Sequence, residues 1–144
     1  MNNITIRHVT EKDAEEICKI SCEDLGYNCD VSLVRNKINN LNTDREAVFV
    51  ATENDTAVGF IHAEKYDTLF LETMANVLGL AVKKAYRNNG IGKALVLSVE
   101  KWACENNINT IRLNSGKSRT DAHNFYRNLG FDSEKEQIKF IKIL

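Results

Sequence analysis

Residues 79–103 read GLAVKKAYRNNGIGKALVLSVEKWA, and this stretch decides the fold. It begins inside an almost wholly apolar run, NVLGLAV at 76–82, which predicts a strand covered on both faces. TIRLNS at 110–115 predicts a further strand. A strand, a helix and a strand in this order form a βαβ unit, whose strands are parallel and whose crossover is right-handed. The helix is indicated by apolar residues that recur at helical spacing after Gly90, namely Ile91, Ala94, Leu95, Val99, Trp102 and Ala103.

The rest of the chain surrounds this unit with further strands and helices. The full order, β-α-α-β-β-β-α-β-α-β, predicts an α/β (α+β) protein with helices over a mostly antiparallel sheet. A length of 144 residues predicts a single domain over 1–144. The other predicted elements are a strand at 3–8, a helix opened by Thr10 and Asp13 and stopped by Gly26, a second helix capped by Ser32, a hairpin of strands 47–53 and 57–66 around the turn 54–56, a last helix from Ser118 or Arg119 to Gly130, and a closing strand at 137–144.

Charge and hydropathy narrow the function classes. A net charge of −1 argues against a broad nucleic-acid surface, which needs many more cations than anions. A local cluster of cations keeps non-specific nucleic-acid contact as a minor hypothesis. No 18-residue apolar stretch and no apolar signal region are present, so we expect a cytoplasmic protein without a membrane span. The local cluster of cations that could contact nucleic acid consists of Lys83, Lys84, Arg87 and Lys93.

The cysteines and histidines do not predict a metal centre. Cys18 and Cys22 are four residues apart and share a helical face, where reduced cysteine most often packs as a small apolar side chain. The three histidines, His8, His62 and His123, fall on three different elements. We therefore expect no metal in the site.

The loop at 87–92, RNNGIG, predicts an anion site. A helix begins with unsatisfied N–H groups and a partial positive charge, and glycine lets a ligand approach the backbone closely. A P-loop would need a hydroxyl residue where Ala94 stands, and a dinucleotide-binding fingerprint would need glycine at Leu95. The pattern that fits at every specified position is Arg-x-x-Gly-x-Gly, from Arg87 to Gly92.

On this motif the chain resembles the GNAT (Gcn5-related) N-acetyltransferase superfamily. A second motif, AHNFYRNLGF at 122–131, is similar to the family's C-terminal helix pattern A-x-x-F-Y-x-x-x-G-F. The resemblance covers roughly 48–131, and Leu-Gly-Tyr at 25–27 is similar to the bacterial aminoglycoside 6′-type branch. It implies a mixed, mostly antiparallel central sheet flanked by helices, with one βαβ unit that binds acetyl-CoA as co-substrate.

The resemblance also implies roles for single residues. The loop grips the pyrophosphate, the main chain of Leu80 to Val82 meets the pantetheine arm and the thioester carbonyl, and Tyr126 acts as general acid to the sulfur. The pantetheine arm enters where the strands at 76–82 and 110–115 separate. Arg119 stands where many members have asparagine, so it is expected to meet a phosphate, and Asn114 to supply an amide. The expected cofactor-binding set is Leu80, Ala81, Val82, Arg87, Asn88, Asn89, Gly90, Ile91, Gly92, Lys93, Asn114, Arg119 and Tyr126.

Transfer of acetyl to an amine also requires a base, because an alkyl ammonium with a pKa of about 10.4 must lose a proton before it attacks. Glu72, near the start of the strand that leads to the cofactor, is the expected base, and Glu64 is the alternative. His62 faces either the core or the substrate. Acidic residues would together attract a cationic amine: Glu23, Asp24, Glu64, Asp67 and Glu72.

The predicted function is therefore acetyl-CoA-dependent N-acetyl transfer to a primary amine of a small molecule or protein, by direct attack in a ternary complex. The alternative is a non-catalytic module that senses acyl-CoA. No nucleic acid, membrane or metal is expected as a partner, and a homodimer through the C-terminal strand is a further hypothesis.

Overall fold

The computed structural model describes residues 3–144. The chain divides into two compact units, one that ends at Leu113 and one from Asn114 to Leu144. The first contains five strands and three helices, and the second contains one helix. The elements are β1 (Ile4–His8), α1 (Ala14–Asp24), α2 (Val31–Asn39), β2 (Glu46–Glu53), β3 (Thr56–Tyr66), β4 (Met74–Val82), α3 (Ile91–Glu105), β5 (Ile111–Leu113) and α4 (Thr120–Asn128).

The five strands form one sheet in the order β1-β2-β3-β4-β5. The first three pairings are antiparallel and the last, β4 with β5, is parallel. The predicted hairpin, the predicted parallel βαβ unit and the mostly antiparallel sheet are all confirmed. In the residues that the structure describes, no helix is long and apolar enough to cross a membrane.

Helices cover both faces of the sheet. On one face, Ile17 and Ile20 of α1 pack in a cluster with Val50, Phe60 and Ala81. On the other face, α3 presents buried side chains, among them Leu95, which lies beside Gly59. Because neighbouring residues of a strand point to opposite faces, Gly59 and Phe60 mark the α3 face and the α1–α2 face respectively.

Two sequence predictions need correction. The cap of α2 is Asp30, whose carboxylate accepts a hydrogen bond from the Ser32 N–H at 2.8 Å, rather than Ser32 itself. The closing strand at 137–144 is also wrong, because these residues form no regular secondary structure. Their apolar alternation lacks the hydrogen-bonded neighbour that a strand requires. The exposed apolar side chains are Ile138, Phe140, Ile141, Ile143 and Leu144.

The turn before α1 is fixed by a buried carboxylate. Asp13 is only 3% exposed and forms a capping box with Thr10, accepting the Thr10 N–H at 2.8 Å. It also accepts two hydrogen bonds from the Arg7 guanidinium, at 2.8 and 2.9 Å. Burial alone would raise the pKa of Asp13, but the hydrogen bonds from Arg7 and Thr10 outweigh it, so the pKa is lowered.

We expect Asp13→Asn to lower the free energy of unfolding at pH 7 by about 3 kcal/mol, since it removes one partner of a buried ion pair. Because the folded pKa is lowered, the contribution of the carboxylate is complete above its unfolded pKa of about 3.9 and disappears as pH falls through the folded value. Urea unfolding at pH 7 and at pH 3 measures both effects. Asp55→Asn is the matched control, because Asp55 also pairs with Arg7 but is 82% exposed. Equal losses in the two variants would contradict the prediction.

Candidate functional site: an open strand edge that leads to a helix start

Half of β4 has a neighbour on one side only. Its parallel ladder with β5 runs from Ala75↔Ile111 to Val77↔Leu113 and ends there. At the same point the pairing of β4 with β3 slips, from His62↔Gly79 to Ala63↔Val77. Leu78 is therefore the extra residue of a β-bulge, a feature that bends a strand and ends pairing. Within the described residues, β4 beyond Leu78 pairs with β3 and with no other strand.

The backbone groups on this open edge can be assigned. The Lys83 N–H donates to the Val58 carbonyl at 2.8 Å, so it points toward β3. Directions alternate along an antiparallel strand, so the N–H and C=O groups of Leu80 and Val82 point away from β3. Arg87 Nε supports this assignment, because it donates to the Val82 carbonyl at 3.2 Å. The N–H of Ala81 faces β3, which leaves Leu80 and Val82 as the outward donors of the predicted trio.

Gly59 of β3 allows the backbone of β4 and the Leu95 side chain of α3 to lie close to it at this point. A Cβ at Gly59 would stand 3.1 Å from the Ala81 carbonyl oxygen, 3.2 Å from Val82 Cγ2 and 3.4 Å from Leu95 Cδ1. The backbone that carries the outward donors is thus held against a glycine. The sequence analysis missed this residue, although glycine within a strand is a known sign of close backbone approach.

The chain continues from the open edge into the glycine loop. A short 3₁₀ turn, Lys84–Tyr86, is tied to β2 by the Tyr86 hydroxyl, which donates to Glu53 Oε1 at 2.7 Å. Asn88 has a φ of +64°, and the Asn89 amide donates to the carbonyls of Tyr86 and Arg87. The two predicted asparagines therefore shape the loop.

Gly90 starts α3 in a left-handed conformation, with φ of +78° and ψ of 4°. The Ala94 N–H donates to the Gly90 carbonyl at 3.0 Å and closes the first turn. The N–H groups of Ile91, Gly92 and Lys93 precede that bond, and no side chain of the described chain caps this end. Apart from its neighbours in the chain, nothing in the described residues lies within 4 Å of a Cβ built on Gly90. The helix start can therefore receive an anion.

Two of the four predicted cations are engaged by α1. Lys83 Nζ lies 2.7 Å from Glu16 Oε2, and this hydrogen bond lowers the pKa of Glu16. Arg87 forms an ion pair with Asp24, whose side chain is only 7% exposed. The other two, Lys84 and Lys93, are exposed.

A polar row crosses the α1–α2 face of the sheet. His62 Nε2 lies 2.9 Å from Glu46 Oε1. Next to it the Asn76 amide donates to Glu64 Oε2 at 2.9 Å and accepts from Arg112 at 2.8 Å. The sequence analysis missed three of these residues, Glu46, Asn76 and Arg112, because only the strand register brings them together. The predicted base Glu72 is outside the row, exposed in the loop between β3 and β4.

Glu46, the carboxylate of this row that lies next to His62, is held in its charged form. Burial alone would raise the pKa of Glu46, but the hydrogen bonds from His62 and from the Asn42 N–H outweigh it and lower the pKa. Glu46 is therefore an anion at neutral pH, with one oxygen directed at the imidazole.

The second unit carries the other predicted residues. Tyr126 is half-buried, with its ring 5.3 Å from Phe125 and 5.7 Å from Phe131. Burial raises the pKa of Tyr126, and the positive charge of Arg119 partly opposes the shift. Arg119 is exposed at the start of α4, and Asn114 is exposed as well. His123 is tied to the Gly116 carbonyl at 2.8 Å.

The cysteines have separate environments. Cys18 is buried and its thiol donates to the Cys29 carbonyl at 3.1 Å, while Cys22 is exposed. Burial raises the pKa of Cys18 to about 12, so its thiol is protonated at neutral pH. Residues 3–144 contain no group of three or more histidine, cysteine or carboxylate side chains arranged to hold a metal ion.

Taken together, the first unit presents two outward N–H donors that can polarise a carbonyl and, a few residues later, a helix start that can bind a phosphate group. Comparison with known proteins agrees with this chemistry. The model of the acetyltransferase (GNAT) family matches residues 14–131. No curated protein sequence matches the chain.

Solved structures match over nearly the whole chain. A protein of Bacillus halodurans C-125 described as a transcriptional regulator is 30% identical, with a TM-score of 0.83 over 97% of this chain and 100% of that one. AAC(6′)-Iy, in complex with the bisubstrate analogue CoA-S-monomethyl-acetylneamine, is 19% identical, with a TM-score of 0.84 over 99% and 100%. The aminoglycoside acetyltransferase meta-AAC0020 of an uncultured soil sample, in complex with sisomicin, is 20% identical, with a TM-score of 0.81 over 99% and 97%. Since the family model covers well over half of the sequence, the chain belongs to the acetyltransferase (GNAT) family and is an acyltransferase.

Proposed function

We propose that the protein is an acetyl-CoA-dependent N-acetyltransferase whose acceptor is a primary amine of a small molecule or protein. The observation that carries this proposal is the continuity of the open edge of β4 with the uncapped start of α3. One segment thus offers donors for a thioester carbonyl at Leu80 and Val82 and donors for a pyrophosphate at the first turn of α3.

Acetyl-CoA is the acyl donor that this arrangement fits. AAC(6′)-Iy, which shares the fold, is described in complexes with CoA and with a CoA-linked bisubstrate analogue. A pyrophosphate needs several N–H donors with little side-chain bulk, which the loop provides, and the pantetheine amides need an unpaired strand edge. The residues proposed to hold acetyl-CoA are Leu80, Ala81, Val82, Arg87, Asn88, Asn89, Gly90, Ile91, Gly92, Lys93, Asn114, Arg119 and Tyr126.

Within that set, most of the proposed contacts with acetyl-CoA come from backbone N–H groups. Arg87 is occupied by Asp24 and the Val82 carbonyl, so we propose that it fixes the loop and places its charge near the phosphates. Lys93 is exposed and free to extend toward a phosphate. Ala81 belongs to the set because it lies between Leu80 and Val82, although its own N–H faces β3.

The reaction needs a proton at the sulfur. As the C–N bond forms and the C–S bond breaks, the thiolate of CoA must be protonated or hydrogen-bonded. We propose Tyr126 for this role. Its raised pKa keeps the hydroxyl protonated at neutral pH, which is the form that can donate.

The acceptor amine is expected to be cationic before reaction. Two carboxylates, Glu46 and Glu64, lie in the polar row, and Glu72 lies exposed on the neighbouring loop. We propose that the Glu72 carboxylate attracts the cationic amine. The neighbours AAC(6′)-Iy and meta-AAC0020 are described with an acetylneamine analogue and with sisomicin, which makes aminoglycosides one acceptor class to test.

The test is thiol release from acetyl-CoA in the presence of an amine panel: sisomicin, spermidine, L-lysine and a short peptide with a free N-terminus. We expect amine-dependent release of free CoA with at least one member. Tight acetyl-CoA binding without thiol release across the panel would instead favour the alternative, a non-catalytic acyl-CoA sensor. That alternative is kept because the Bacillus halodurans protein is described as a transcriptional regulator.

We further propose a cytoplasmic protein that binds no nucleic acid. Lys83 and Arg87 are paired with carboxylates of α1, so the four predicted cations do not form a free basic patch. We also propose a homodimer, since the exposed apolar residues of 137–144 are available to a second copy. Light scattering after size exclusion gives the mass in solution, and a monomer at every concentration would remove the dimer.

A further inference from the structure

We infer that His62 is the base that takes the proton from the acceptor amine, and that Glu46 is the positioning residue that fixes its ring. The inference rests on the proposed function, because it assigns a step of the same reaction. It is carried by the juxtaposition of His62, Glu46 and Gly79 beside the outward donor at Leu80.

The hydrogen bond to Glu46 sets which nitrogen can act. A charged carboxylate only accepts hydrogen bonds, so the bond of 2.9 Å places the proton on His62 Nε2. Nδ1 then carries the lone pair, and no partner for Nδ1 occurs among residues 3–144. The His62 side chain is 30% exposed, so a solute can reach it. This is the arrangement by which a carboxylate prepares an imidazole to accept a proton.

His62 lies on β3, the strand next to the open edge of β4. His62 lies directly across from Gly79 in the β3–β4 ladder. A Cβ built on Gly79 would meet only Phe60 Cε2, at 3.7 Å, so there is a notch in the α1–α2 face beside the imidazole. The next residue of β4 is Leu80, whose N–H points out of the open edge. Neighbouring strands lie about 4.8 Å apart, so the backbone of His62 is one strand spacing from Gly79, the residue that precedes this donor.

The other groups near this point are less suited to the step. Glu64 is already bonded to the buried Asn76, and Glu72 is exposed on the loop. The titratable or charged groups around His62 are Glu46 on β2, Glu64 on its own strand and Lys37 on α2, which acts on Glu46. Opposite His62, β4 offers only Gly79.

The protons and bonds of the reaction balance with this assignment. The ammonium gives its first proton to His62 Nδ1, and the amine lone pair then forms the C–N bond. Collapse of the tetrahedral intermediate breaks the C–S bond, and the sulfur takes a proton from Tyr126. The nitrogen then loses its second proton, which passes through water to the Tyr126 oxygen and restores its hydroxyl. The proton on His62 leaves to water, so the net products are the amide, free CoA and one proton.

The first test is His62→Gln, with the acceptor that gives the highest wild-type rate in the amine panel. We expect kcat to fall by about 100-fold while the Kd for acetyl-CoA is unchanged. The rise of wild-type kcat/KM with pH, which reports the group that must lose its proton before it can act as a base, should disappear in the variant. His8→Gln is the matched control, since it removes a histidine from β1, and it should keep both rate and profile. A variant that keeps the wild-type rate and the same rise with pH would overturn the inference.

The second variant is Glu46→Gln. Without its anionic partner the ring is no longer held in the tautomer that leaves Nδ1 bare, so kcat should fall about 10-fold and the pH profile of kcat/KM should differ from that of the wild type. A loss of rate with no movement of the profile would mean that Glu46 has only a structural role. Glu72→Gln should leave the pH rise in place, whereas its loss there would assign the base to Glu72.

A spectroscopic test does not depend on turnover. The ¹⁵N shifts of the His62 ring in the free wild-type protein should show the proton on Nε2 and a bare Nδ1 at pH 8. The opposite tautomer would overturn the inference even if the enzyme is active. If acetyl-CoA neither binds nor releases thiol in the wild type, the proposed function fails, whatever the ring shifts show.

Discussion

Tyr126→Phe lowers kcat for acetyl transfer by about 100-fold or more and leaves the Kd for acetyl-CoA unchanged, if the hydroxyl protonates the departing thiolate. The substitution removes one oxygen and keeps the ring, so the contacts with Phe125 and Phe131 are retained. Stopped-flow detection of free thiol measures the rate, and calorimetric titration measures the affinity.

Tyr27→Phe is the control for this substitution. Tyr27 is 64% exposed and lies between α1 and α2, so loss of its hydroxyl should change neither quantity. A Tyr126→Phe enzyme with the wild-type rate would remove the acid role from this residue. Loss of acetyl-CoA affinity together with rate would instead make it a binding group.

Gly90→Val should weaken acetyl-CoA binding by about 10-fold or more, since each charge-assisted hydrogen bond lost at the helix start is worth about 1.5–3 kcal/mol. The φ of Gly90 is +78°, where a β-branched residue is strongly disfavoured. The loop should therefore shift and misalign the N–H groups of the first turn of α3. Isothermal titration with acetyl-CoA gives the change in Kd.

The control variant Gly26→Val separates the effect of backbone strain from the loss of acetyl-CoA binding. Gly26 has a φ of +73°, and a Cβ on it meets nothing within 4 Å, so both substitutions start from the same local situation. Both variants should lose stability in urea unfolding, but only Gly90→Val should lose acetyl-CoA affinity. Equal loss of affinity in the two would show that the glycine loop is not the phosphate site.

Local sequence signals predicted most of the fold. The apolar run at 76–82 and the 3.6-residue periodicity after Gly90 depend only on neighbours in the chain, and both elements are confirmed as β4 and α3. The glycine loop was predicted for the same reason, because its geometry is set by a short segment. The prediction of a strand at 137–144 was wrong because alternation of apolar residues is a property of one segment, whereas a strand also requires a hydrogen-bonded neighbour.

The parts of the site that depend on pairing register could not be predicted. The bulge at Leu78 arises from a slip between β3 and β4, and it decides which N–H groups of β4 point outward. The Glu46–His62 contact joins residues 16 positions apart. The Arg87–Asp24 pair joins residues 63 positions apart, and the sequence analysis therefore placed Arg87 in a cluster of cations and Asp24 among acidic residues that attract an amine.

A crystal structure of the protein with bound CoA tests the central claim most directly. We predict that the pyrophosphate accepts hydrogen bonds from the N–H groups of the first turn of α3, and that the pantetheine arm runs along the outward N–H groups of Leu80 and Val82. CoA bound at another surface, or a complex in which side chains of the protein itself cap those N–H groups, would contradict the account.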